Sequence, residues 1–111
     1  MEDKAMRAEE KRRCENLLER HEEWCAELRD ATLKSLTGDE RVAARKSYAY
    51  AAKTRTCHDA EAKLETFGRI HAWAACGRVG RPKRYRVEGN HIAHCFMYGI
   101  PWEAWAPRVQ S

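Results

Sequence analysis

From about Glu9 to Leu36, apolar and small residues return every three or four positions, placing Cys14, Leu17, Leu18, His21, Trp24, Cys25, Leu28, Ala31 and Thr32 on one stripe. That is the 3.6-residue period of an amphipathic α-helix. A helix of this length takes about a quarter of a 111-residue chain and obliges the rest to pack along it. Its other side, with Glu15, Glu19, Arg20, Glu22, Glu23, Glu27 and Arg29, reads as a solvated face held by pairs three or four residues apart, such as Glu9 with Arg13.

The pattern breaks at residues 35–40. Gly38 interrupts it, and Thr37 stands three residues before Glu40, the spacing of a capping box. A second helix over 38–76 follows, its stripe running through Val42, Ala49, Ala52, Thr56, Ala60, Leu64, Phe67, Ile70 and Ala74, with Gly77 as a left-handed stop. The 17 alanines favour helix throughout. Helix 1 over 9–36 and helix 2 over 38–76, joined by a short turn, predict a long antiparallel helical hairpin. Small residues at Ala49, Ala51, Ala52, Thr54 and Thr56 invite close approach of helix 1, with Trp24 filling the gap. Two helices alone bury little, so either the last third or a second copy of the chain, giving a homodimer, should cover their open face.

Residues 77–111 read as a basic loop followed by an aromatic-rich C-terminal element. Tyr85 and Val87 alternate with Arg86 and Glu88, Gly89-Asn90 offers a two-residue turn, and Ile92, His94, Phe96 and Tyr98 alternate with Ala93, Cys95 and Met97. This pattern favours a small β-hairpin over 85–98. The same letters also fit a helix capped by Asn90 and stopped by Gly99, followed by a short helix from Pro101. The latter would make a helix-turn-helix whose second helix is short for reading a major groove. The expected fold is therefore one small, mainly α domain, with α+β as the variant.

Charge separates along the chain. Residues 1–40 hold 8 basic and 12 acidic groups, residues 41–66 hold 6 and 3, and residues 67–111 hold 7 and 2, within a formal net charge of +4. The second half is the part that suits a polyanion. The first twenty residues are charged throughout and hold no signal-peptide-like apolar stretch, and the uncharged run His91–Trp102 is too short to span a bilayer. Five scattered cysteines without a Cys-x-x-Cys pair suit reduced thiols in a cytoplasmic compartment.

Among residues that bear chemistry, Arg78-Val79-Gly80-Arg81-Pro82-Lys83-Arg84-Tyr85-Arg86 stands out, with five basic side chains in nine positions. Gly80-Arg81-Pro82 flanked by basic residues resembles the core of an AT-hook, an extended segment that lies in the minor groove of A·T-rich DNA. The resemblance spans about seven residues of the chain. It implies that Gly80, Arg81 and Pro82 enter the groove while Lys83 and Arg84 meet phosphates. Arg78 and Arg86 flank this segment, and Arg45 and Lys46 on the second helix would extend the basic surface. Tyr48 and Tyr50 would stack on bases if the ligand were single-stranded. Trp102 and Trp105 near the C-terminus are the candidate anchors for a protein partner.

His91, His94 and Cys95 would share a face only in the helical reading, with His71 or Cys76 as a fourth ligand, and their spacing matches no zinc signature; no metal or other cofactor is expected. No Gly-x-x-x-x-Gly-Lys, His-Glu-x-x-His or Gly-x-Ser-x-Gly motif is present, and no enzyme is expected. The function that follows is a small, non-enzymatic intracellular nucleic-acid-binding protein, with DNA favoured over RNA and no membrane partner. Chains of this Arg- and Ala-rich kind are common among phage and mobile-element regulators. The alternative is a protein-binding module, an inhibitor or adaptor of a larger complex such as a host-defence assembly, using its acidic first helix or its tryptophans.

Overall fold

The computed structural model describes the backbone of residues 2–51 and 53–108 and the side chains of 7–51 and 53–105. Four α-helices account for most of it: α1 Glu2–Ser35, α2 Gly38–Ala49, α3 Cys57–Ala75 and α4 Arg86–Met97. Short 3₁₀ segments occupy Pro82–Tyr85 and Trp102–Arg108, and no strand occurs among the described residues. The molecule measures 53 × 30 × 20 Å. Its long axis is set by α1, whose 34 residues span about 51 Å at 1.5 Å per residue.

The stripe expected on the first helix is the one that is buried. Leu17, His21, Cys25, Leu28, Thr32 and Leu36 lie inside, while Leu18 is partly exposed. Thr32 shows how a polar residue is accommodated there: its hydroxyl donates to the Leu28 carbonyl at 2.8 Å and lies 2.8 Å from His71 Nδ1. Both groups are satisfied when the imidazole proton sits on Nδ1.

The turn after Leu36 reverses the chain as expected, but the returning arm is only α2. Residues 50–51 and 53–56 break the single helix expected over 38–76. The reason is local: Thr56, in extended conformation, accepts the Asp59 N–H at 3.1 Å, and Asp59 reaches back to the Arg55 N–H at 3.3 Å. This reciprocal cap starts a new helix rather than continuing the old one. Thr37 also adopts an extended N-cap geometry, but without a side-chain hydrogen bond. Ala52 of the expected stripe lies outside the described residues.

Contacts between α1 and α3 climb both helices together, from Cys14 with Cys57, through Glu22 with Lys63 at 2.6 Å, to Thr32 with His71. The two long helices therefore run in the same direction, and α2 supplies the antiparallel arm. α3 is buried on several sides, through Ala60, Leu64, Phe67, Ile70, Ala72 and Ala74, because α1, α4 and the Pro82–Tyr85 turn all pack on it.

The favoured β-hairpin over 85–98 is not formed; this segment is α4. Gly89, expected in a hairpin turn, sits instead inside the helix against Gly68 of α3. Burial of Ile92, Ala93 and Cys95 follows a helical rather than an alternating period. Gly99, at φ +70°, ends α4, and the Ile100 N–H bonds the Cys95 carbonyl at 2.8 Å, a Schellman closure. Trp24 does not fill a gap beside the small residues of the second helix; it stacks on Phe96 of α4, with centroids 5.6 Å apart. α4 and the Trp102–Arg108 segment are what cover the face the first two-thirds leave open. Among the described residues no helix is long and apolar enough to cross a membrane.

Candidate nucleic-acid interface

At the end of α3, Gly77 at φ +79° and Arg78 at φ +63° place two successive residues in the left-handed region, and the Arg78 N–H bonds the Trp73 carbonyl at 2.9 Å. The chain turns sharply here and runs back over α3. Two core side chains then hold the loop: Trp73 Nε1 donates to the Gly80 carbonyl and the Tyr85 hydroxyl to the Val79 carbonyl, each at 2.8 Å. Arg81 is extended, at φ −95° and ψ 153°, but Pro82 opens a 3₁₀ turn that runs to the buried Tyr85. The segment resembling an AT-hook is thus folded down onto the protein after Arg81 rather than extended along its length.

This fold-back brings Arg81 and Lys83 over the side of α3 that carries Thr66, Arg69 and Ile70. The C-terminal end of α2, with Ser47, Tyr50 and Ala51, forms the opposite wall. Between them lies a depression of about 410 Å³ with Ile70 and Pro82 in its lining. Three cations border it, and among the described residues no carboxylate does. Arg69 Nη2 reaches the Thr66 hydroxyl at 3.4 Å, while its Nε is buried without a hydrogen-bond partner. Arg81 and Lys83 are exposed and form no ion pair among the described residues. Ser47 and Thr66 spend their hydroxyl protons on the Ala43 and Ala62 carbonyls, at 3.1 and 2.9 Å, so the groups left to meet a phosphate-bearing ligand are the Arg81 and Lys83 side chains, with the Arg69 guanidinium in the wall beside them.

The remaining basic residues singled out in the sequence are not all brought to this recess. Arg78 is ion-paired with Glu40 at the start of α2. Arg84 packs its side chain against Gly80, and Arg86 stands near Glu65 of α3. Lys46 is exposed and does not border the recess. Arg45 faces the other side of α2, toward α1. Arg69, which the charge pattern alone did not single out, lines the recess, next to Gly68, where α4 approaches α3 closely. The available signal was a glycine within an otherwise well-formed helical stripe, next to an arginine.

Trp102 and Trp105 are core residues rather than surface anchors, 9 % and 1 % exposed. Trp102 Nε1 donates to Glu27 at 2.9 Å, and both indoles meet the His71 ring edge-on, at 4.7 and 5.9 Å. Burial among these rings holds the His71 pKa down to about 4. Lys63 holds the Glu22 carboxyl below its ordinary value, and desolvation pushes the Cys25 thiol up to about 12.

The helix that would have gathered His91, His94 and Cys95 does form, yet Cys95 is buried while His94 is exposed. No group of three or more His, Cys, Asp or Glu side chains that could hold a metal occurs among the described residues. No family model, curated protein or solved structure matches the chain.

Proposed function

We propose that this protein acts by binding nucleic acid, through the recess formed by Arg69, Arg81 and Lys83. The observation that carries the proposal is the convergence of three cations in one depression that no carboxylate lines among the described residues. Such a site neutralises backbone phosphates, the main source of affinity for any nucleic acid, and its strength falls steeply with salt. The folded-down Pro82–Tyr85 turn favours capture of phosphate in this recess over insertion of an extended hook into a minor groove. The protein-partner alternative offered two surfaces, the acidic face of the first helix and the pair Trp102 and Trp105; burial of the two indoles leaves the acidic face as the surface for that reading.

The test is fluorescence anisotropy with labelled oligonucleotides between about 50 and 300 mM salt, where counterion release dominates. The wild-type protein should bind with a steep salt dependence, and the Arg81→Ala, Lys83→Ala double variant should bind about ten-fold or more weakly with a flatter slope. Unchanged binding in that variant would overturn the assignment of the site.

A further inference from the structure

The recess does not stand alone. Ala51, which lines it, also lines a second depression of about 430 Å³ that opens toward α1. Arg45 and Arg29 border this second depression; Arg29 lies 3.6 Å from Asp30, whereas Arg45 forms no ion pair among the described residues. Lys63 is there too, but it is held by Glu22 at 2.6 Å. Beside Ala51, Tyr50 is 89 % exposed, and its ring touches no other ring among the described residues. Tyr50 lines the first recess, and in the second depression, reached past Ala51, the cations Arg29, Arg45 and Lys63 outnumber the one carboxylate, Glu22. An exposed ring beside a path of cations suits a single strand, in which phosphates follow the cations and a base stacks on the ring whatever its identity.

Duplex geometry fits less well. The recess lies between α3 and the end of α2, whereas a duplex presents its phosphates on a convex surface. The exposed face of α4, the helix available to a groove, offers Val87, Asn90 and His94, with Arg86 as its only Lys or Arg. Resting on the nucleic-acid reading above, we infer that the ligand is a single strand whose phosphates run from the Arg69–Arg81–Lys83 recess past Ala51 to Arg45, with one base stacked on Tyr50.

The experiment compares labelled oligo-dT, oligo-U and a DNA duplex of equal length at about 100 mM salt, using wild type, Tyr50→Ala, Tyr50→Phe, Arg45→Ala and the Arg81→Ala, Lys83→Ala variant. Circular dichroism confirms that each is folded, and Tyr50 and Arg45 are both exposed. The single strand should bind about ten-fold more tightly than the duplex. Tyr50→Ala should weaken it at least about five-fold and Tyr50→Phe should retain it, as a stacking contact requires. Arg45→Ala should weaken it several-fold. The oligo-dT and oligo-U arms tell DNA from RNA as the source of the strand. If the duplex binds as tightly as the single strand, or Tyr50→Ala has no effect, the single-strand inference is overturned; the nucleic-acid function still stands provided the Arg81, Lys83 variant loses binding. If neither form binds at about 50 mM salt, both are overturned.

Discussion

Gly68 of α3 and Gly89 of α4 meet where their two helices cross, closely enough that neither position has room for a side chain. A Cβ on Gly68 would lie 2.9 Å from the Gly89 carbonyl oxygen, and one on Gly89 would overlap the Glu65 carbonyl oxygen and lie 2.9 Å from the Arg69 amide nitrogen. The obstacles are backbone atoms, which cannot rotate away. The segment of chain that joins these two helices contains Arg81 and Lys83.

Gly89→Ala should therefore destabilise the protein by about 2 kcal/mol, overpacking outweighing the helix propensity gained. For a domain of this size that lowers Tm by roughly 8–16 °C. Val87→Ala, two residues away and exposed, serves as the control and should change Tm little. Calorimetry or thermal circular dichroism reads the difference, and equal Tm values for the two variants would contradict the crossing.

His71 should make stability depend on pH in a defined window. Burial lowers its folded-state pKa to about 4, against an ordinary value of 6.5, with Glu103 pulling weakly the other way. Below about pH 6.5 the unfolded chain takes up a proton that the folded imidazole refuses, so stability is full above 6.5 and declines as pH falls toward 4. The slope contributed is at most about 1.4 kcal/mol per pH unit. Urea unfolding between pH 7 and 4.5 measures it, and His71→Gln should flatten that part of the profile.

The two C-terminal tryptophans should affect folding and leave binding alone. Trp105→Ala removes a side chain that is almost wholly buried and should cost about 3–5 kcal/mol, a large share of the ~5–15 kcal/mol available to a domain. Trp102→Phe keeps the packing and removes the indole N–H that bonds Glu27, costing about 1 kcal/mol. A Trp102→Phe protein that remains folded should bind oligonucleotides as wild type does in the same anisotropy assay.

Arg78 and Arg81, three positions apart in one basic run, should behave differently. Arg78 is engaged by Glu40, whereas Arg81 borders the recess without an ion-pair partner among the described residues. Arg81→Ala should weaken nucleic-acid binding about five-fold and reduce the salt slope by about 0.7, the loss of one phosphate contact to a single strand. Arg78→Ala should leave both within about two-fold of wild type. Salt titrations of the two variants decide, and equal losses would mean that Arg78 leaves Glu40 to join the ligand.

What the sequence determined by itself was governed by neighbours within a turn or two. The apolar period from Cys14 to Thr32 specified α1 and its buried face, and Gly77 and Gly99 marked where helices stop because glycine adopts the left-handed conformation at low cost. The Thr56–Asp59 cap is just as local, yet the apolar pattern places Thr56 inside a continuous helix over 38–76, because the small-residue run before it continues the apparent stripe and obscures the break.

Only the tertiary structure decided the rest. Residues 85–98 suit strand and helix almost equally by local pattern; the close approach of Gly89 to Gly68 is available to the helix and resolves the ambiguity. Arg69, Arg81, Lys83 and Tyr50 are spread over three segments, and they converge because the left-handed turn at Gly77–Arg78 and the hydrogen bonds from Trp73 and Tyr85 fold the loop back over α3. Local preference acts along the chain and can be read there. Convergence depends on how closely backbones approach across it, and that distance is set by packing.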